Sequence, residues 1–315
     1  MFELFAQTES AGFTQYLLTG LVMGSLYALI ALGYTMVYGI IELINFAHGD
    51  LFMLGSFLAW QLAQQVGVTT AAANGSAAIA ATILLMLLVT PLACASLNVA
   101  VDRVVYKPLR NAPKLAPLVS AIGVSFVFMC IGQFWGGASK VKFPNLIPSD
   151  NLLDGTGLQF SWKDAMVIGV TLPTMIALTV FVRYTAMGKA MRATAQNPTA
   201  AQLMGINADR VIAVTFAIGG ALAGVAAVVN GFYNESVEYQ MGFQNGLYAF
   251  TAAVLGGIGN IPGAVLGGLV LGVVGELGKA YLGTEWSEVL IFGILIVILL
   301  FRPTGLLGAR TREKV

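Results

Sequence analysis

Four polar side chains with chemical potential stand together in an otherwise apolar stretch: Glu42, Asn45, His48 and Asp50, all within nine residues. Two carboxylates, an amide and an imidazole could form the polar rim of a translocation path. In a continuous helix, Glu42, Asn45 and His48 follow one another at i, i+3 spacing and share a face, with Asp50 elsewhere. Ionisable groups near a bilayer centre cost about 2.5–3.5 kcal/mol each on insertion scales, so they face a partner or a watery path. A second reading stays open: 42–50 is the connection between two membrane segments, and Asn45 and His48 cap helix ends. No metal site is expected, because zinc needs three or four ligands and His48 is the only histidine. An intramembrane enzyme using His48 and Asp50 would lack a nucleophile at a sensible spacing. No G-x-x-x-x-G-K-[ST] phosphate loop is present, so the chain is not expected to hydrolyse ATP, and no cofactor of its own is expected.

The elements that must position these groups follow from composition. The chain has 315 residues, 57% hydrophobic and 10% charged, with a formal net charge of +1 and a mean hydropathy of +0.82. A soluble domain carries about 25% charged residues. There is too little charge here to solvate a globular surface, and nothing that points to nucleic acid. The expected fold is all-α: one polytopic transmembrane helical bundle spanning 1–315, in contact with membrane lipid. Apolar runs fall near 13–41, 51–64, 77–101, 115–135, 164–182, 211–231, 264–282 and 289–301, with 65–76 read as a loop. The 246–259 run is apolar but short for an upright crossing of a ~30 Å hydrocarbon core. The total is eight or nine segments, depending on whether 42–64 and 246–259 cross fully.

Basic residues sort the connections. Arg103, Lys107, Arg110 and Lys114 face one acid in 102–115; Arg183, Lys189, Arg192 and Arg210 cluster at 183–210; Arg302, Arg310, Arg312 and Lys314 end the chain. The positive-inside rule makes these three regions cytoplasmic and closes with the N-terminus outside. Glu3 and Glu9 precede the first run with no base, unlike a cleaved signal peptide. Cys94 and Cys130 lie inside apolar runs and form no disulfide framework. Gly220 with Gly224, Gly263 with Gly267 and Gly268 with Gly272 have the small-xxx-small spacing of close helix packing. The Gly256–Gly263 stretch follows a helix-like run rather than a strand, so it reads as a helix break, not a dinucleotide loop. One faint internal echo pairs Leu26-Tyr27-Ala28 with Leu247-Tyr248-Ala249.

Residues 186–207 form an amphipathic interruption between two apolar runs. Asn197-Pro198 reads as an N-cap and first helical residue, and Gly205 as a left-handed helix end. The helix between them has Ala200, Leu203 and Met204 on one side. Such a helix suits a groove in another protein; alternatively it lies on its own domain or on lipid headgroups.

Three stretches carry a resemblance. Gly24–Ile41 followed by Ile44-Asn-Phe-Ala-His-Gly-Asp50, then 186–216, then Ala249–Ala264, resemble the LivH-type permeases of branched-chain amino acid ABC importers over nearly the whole chain. The 186–207 segment is similar to that family's coupling loop, although Thr194-Ala195-Gln196 and Ala200-Ala201-Gln202 stand where a Glu-Ala-Ala is expected. The resemblance implies a bacterial inner-membrane, multi-pass permease subunit moving leucine, isoleucine or valine inward by alternating access. It implies a LivM-like second permease, two cytoplasmic subunits that bind ATP and Mg, and a periplasmic binding protein. Arg192, Asn197, Ala200, Ala201, Met204 and Gly205 would make the ATPase-coupling contacts. Asn45, His48, Tyr27 and Tyr248 would line the path; for the tyrosines, interfacial anchoring or ordinary packing is the alternative. Related permeases with this motif layout carry urea or short amides, and a self-sufficient ion-coupled carrier is the rival suggested by Glu42, His48 and Asp50.

Overall fold

The computed structural model of the chain describes residues 2–308, apart from Glu42, Ile44, Asn111, Lys114, Thr156 and Pro303; within 2–11 and 67–77 it describes the backbone. The chain is helical almost throughout. In order, α1 is Phe2–Ile41 and α2 is Ala47–Leu62; a π-helical turn, Ala63–Gly67, leads to α3, Val68–Val101. A second π turn, Asp102–Tyr106, and the three-residue α4, Lys107–Leu109, precede α5, Leu115–Gly136. Then come α6 (Trp162–Tyr184), α7 (Ala186–Gln196), α8 (Pro198–Leu203), α9 (Ala208–Asn234), α10 (Met241–Gly256), α11 (Ile261–Leu282) and α12 (Thr284–Phe301). Two short strands, β1 (Val141–Lys142) and β2 (Ser236–Val237), pair antiparallel.

Seven helices among the described residues are long and apolar enough to cross a membrane: α1, α3 with its π turn, α5, α6, α9, α11 and α12. The eight or nine expected segments correspond to these seven plus α2 and α10. Those two helices have 16 residues each, about 24 Å at 1.5 Å per residue, shorter than the ~30 Å hydrocarbon core.

Two expectations change. Residues 65–76 are helical in backbone, not a loop. The run of alanines at 71–73 favours helix whatever the polarity of its neighbours. Of the two readings of 42–50, the structure has the connection rather than one continuous helix: α1 stops at Ile41, Asn45 lies between helices, and α2 starts at Ala47. Asn45 and His48 therefore do not share a helical face, and Glu42 lies outside the described residues. Nor does Asn45 cap α2 with its side chain; its carbonyl accepts from His48 N–H at 3.1 Å.

The glycines decide which helices meet. A Cβ on Gly24 would stand 2.7 Å from the Leu269 backbone, and one on Gly268 would stand 2.6 Å from Ala28 N, so α1 and α11 meet backbone to backbone. Gly224 bears likewise on Pro91 of α3, where a Cβ would come within 2.5 Å. Gly263 and Gly267 face Gly256 and Ala252 of α10. All three glycine pairs of the sequence thus lie at helix crossings. Without a hydrophobic drive between spans, such close approach is what holds a bundle together in lipid.

The bundle has two chemically different ends. One collects Arg103, Lys107, Arg110, Arg183, Lys189, Arg192 and Arg210. At this end Lys107 Nζ lies 2.9 Å from Asp209 Oδ2, and Arg110 bridges Asp102 and Asp209. The chain after α12 returns to this end. Leu306 N–H donates to Leu255 O at 2.8 Å, Leu307 N–H to Gly256 O at 3.0 Å, and Asn260 Nδ2 to Leu307 O at 2.7 Å. These bonds satisfy carbonyls that the end of α10 leaves open. The Gly256–Gly263 break thus meets the chain's own tail; Gly257, at φ +104°, has no room for a side chain beside Gly308. The opposite end carries the strand pair, the Lys163–Glu235 ion pair, and Trp60 Nε1 donating to Lys142 O at 3.1 Å.

Candidate functional site

At the basic end, α7 and α8 form a short appendage of 11 and 6 residues rather than a span. Thr185 Oγ1 caps α7 by accepting from Gly188 N–H at 3.0 Å. Gly188, Met191 and Thr194 face inward, one residue per turn. Arg192, exposed, donates through Nη1 to the carbonyls of Val182 and Arg183. It ties α7 to the open end of α6, a structural task within the chain. Asn197 Oδ1 accepts from Ala200 N–H at 3.0 Å, with Pro198 at the first helical position. At the other end, Gly205 N–H donates to Gln202 O at 2.9 Å and Ile206 N–H to Ala201 O at 3.0 Å, with Gly205 at φ +83°. That bond pair is the glycine-dependent helix stop.

The six-residue α8 is thus fixed at both ends, and its outer face is bare. Leu203 is 84% and Met204 83% exposed. Ala200 and Asn197 are exposed beside them. Ala201, by contrast, is 4% exposed and packs into the chain itself. Ala201 therefore sits behind the surface that a partner would touch.

From α8 a chain of polar contacts runs into the bundle. Asn207 Oδ1 caps α9 by accepting from Arg210 N–H at 3.0 Å. Asp209, next to it, is gripped by Lys107 and Arg110, and Arg110 Nη2 also holds the buried Asp102 at 2.7 Å. Tyr106 OH donates to Asn45 Oδ1 at 2.9 Å, and Asn98 Nδ2 donates to the Phe216 carbonyl of α9 at 2.7 Å. Asn45 Nδ2 faces Asn98 Oδ1 at 3.4 Å. Asn45 therefore lies at a junction that ties the start of α2 to α3, to the turn after it and, through Asn98, to α9. It also lines a second, small recess with Tyr34, Tyr38 and Phe250.

A cleft of about 650 Å³ lies between α5, α10 and α12, with Phe46 also in its lining. Tyr248 lines it, and its hydroxyl donates to Glu288 Oε1 at 3.0 Å. Tyr27 stands behind, its ring centroid 5.4 Å from that of Tyr248. The two halves of the faint sequence echo thus meet in space. Ser125 also lines the cleft and donates to Asp50, which is 1% exposed. The second Asp50 oxygen has no partner among the described residues. His48 is 1% exposed, lies edge-on to Tyr34 with ring centroids 4.7 Å apart, and neither ring nitrogen has a hydrogen-bond partner among the described residues. Its side chain is not part of the cleft lining, and it meets Asn45 through its backbone N–H. Of the four expected path residues, Tyr248 alone lines the cleft. Ser125 and Glu288 are cleft residues to which no motif in the sequence points.

The chain matches the family model described as branched-chain amino acid transport system / permease component over residues 16–299. It is 43% identical to the high-affinity branched-chain amino acid transport system permease protein LivH of Salmonella typhimurium, over 96% of this chain and 98% of that one. It is 41% identical to LivH of Escherichia coli over the same shares. It is 42% identical to the permease protein BraD of Pseudomonas aeruginosa, again over 96% and 98%. No solved structure matches it. A bundle of apolar helices with a capped appendage at its basic end, similar along its full length to these permeases, belongs to the branched-chain amino acid transport system permease family.

Proposed function

We propose that this chain is the LivH-like permease subunit of an ATP-driven importer of leucine, isoleucine and valine. The observation that carries the proposal is α8: a helix capped at both ends, with Leu203 and Met204 bare on an otherwise charged end of the molecule. Lipid-facing apolar side chains are ordinary on the spans. On a polar appendage they are the knobs that a groove in another protein receives.

The partners follow from that reading: a LivM-like second permease, two cytoplasmic subunits that carry ATP and Mg, and a binding protein on the far side. The C-terminus and α8 are cytoplasmic by the excess of bases at their end. Closure of the ATP-binding subunits pushes α8. The push passes to α9 through Asn207 and to the 102–110 turn through Asp209, then by Tyr106 to Asn45 and the start of α2. A rigid displacement of α9 and α2 against α5 and α10 opens one side of the path and closes the other, which is alternating access. The chain supplies path and lever and makes no covalent bond.

Reconstitution tests this. The chain with its second permease, ATP-binding subunits and binding protein in proteoliposomes should accumulate leucine, isoleucine and valine only with ATP. Uptake of urea or acetamide instead would reassign the cargo. Ion-gradient-driven uptake by the chain alone would reject the reading.

A further inference from the structure

We propose that the cleft between α5, α10 and α12 seats a zwitterionic, apolar α-amino acid, with the Glu288 carboxylate receiving its ammonium group. The assignment rests on the reading of the chain as an amino-acid importer and deepens it by naming the site.

The charge balance of the cleft is one-sided. Its lining contains one acid, Glu288, and no Lys, Arg or His. None of the six ion pairs among the described residues involves Glu288. Its only described bond is the one it accepts from Tyr248 OH. From Val289 to Phe301, α12 carries no charge at all. Glu288 stands exposed in the opening turns of that helix, with its carboxylate open to a cation in the cleft. A second acid, Asp50, lies one hydrogen bond behind the cleft wall through Ser125, with one oxygen free of partners. The field in the cleft therefore favours a positive group.

The rest of the lining fits the remainder of such a ligand. Gln240 and Gln244 line the cleft at the N-terminus of α10, and Glu288 sits near the N-terminus of α12. Their amides supply the N–H donors that a carboxylate needs. Ile122, Phe126, Met129 and Phe292 give an aliphatic and aromatic wall for a branched side chain. Urea or a short amide can offer Glu288 only a neutral N–H donor, a weaker partner than an ammonium group. The arrangement thus separates the two cargo classes that the motif layout leaves open.

The test uses the complete complex in proteoliposomes with radiolabelled leucine, read as leucine moved per ATP hydrolysed. A charge-assisted hydrogen bond is worth roughly tenfold or more, so Glu288→Gln should lower that ratio by about that factor, and Glu288→Asp should recover part of it. Tyr248→Phe keeps the carboxylate and should cost about threefold or less. An unchanged ratio in Glu288→Gln overturns the site, as does an equal loss in Tyr248→Phe, which would mark a structural bond. A ligand-side measurement needs no variant: calorimetry on the wild-type complex without the binding protein. Leucine should bind at least about tenfold more tightly than its α-hydroxy acid analogue. Equal affinities, or no leucine binding, overturn the site. A wild-type complex that moves urea but no branched-chain amino acid overturns the importer reading itself, and the two failures are thereby distinguished.

Discussion

Gly205 shows how much a single residue can carry. Its φ of +83° lets Ile206 N–H reach Ala201 O and so ends α8. A Cβ meets open space there, so a replacement is penalised by backbone strain alone, about 1–2 kcal/mol for a non-glycine residue in the left-handed region. Gly205→Val should leave the bundle assembled, as judged by co-purification, and lower substrate moved per ATP several-fold; wild-type coupling would remove α8 from the mechanism. This residue was legible in the sequence, because Asn-Pro at one end and Gly at the other are local turn chemistry. The cleft was not. Ser125, Tyr248 and Glu288 are far apart along the chain, and only the packing of α5, α10 and α12 brings them together. His48 is the chain's single histidine, and its place depends on packing that the sequence does not show: Gly33 leaves the space that the ring fills.

Between elements, the connections that matter are a seam and a clamp. The seam is α1 on α11, where Gly24 and Gly268 leave no space for a side chain. Gly268→Leu should prevent close approach and abolish recovery of folded protein. A surface change such as Lys140→Ala should not, since an exposed ion pair is worth about 0–1 kcal/mol. Yield and monodispersity on size-exclusion chromatography report both. The clamp is Asp209 between Lys107 and Arg110. Lys107 and Asp209 are about half exposed, so Asp209→Asn should cost little stability. If force passes through the clamp, the same variant should reduce coupled transport while leaving thermal unfolding within a degree or two. A loss of both together would make the clamp merely structural. Spans were readable from hydropathy because the hydrocarbon core selects for length and apolarity. The helical backbone of 65–76 was not, since small polar side chains report on solvent and turn tendency rather than directly on conformation.

For the whole molecule, the account turns on which end meets the motor. Sorting bases from acids predicted two ends, and the structure gathers 102–110, 183–210 and 304–308 at one of them. The partners were legible only through resemblance, because nothing in a bare α8 names what covers it. The most direct measurement is a cysteine at position 204, introduced as Met204→Cys in a background without Cys94 and Cys130. In the assembled complex it should cross-link to an ATP-binding subunit, and membrane-impermeant maleimide should reach it from the cytoplasmic side alone in the free chain. Labelling from the outer face, or a complex that turns over with position 204 freely labelled throughout, would contradict the account.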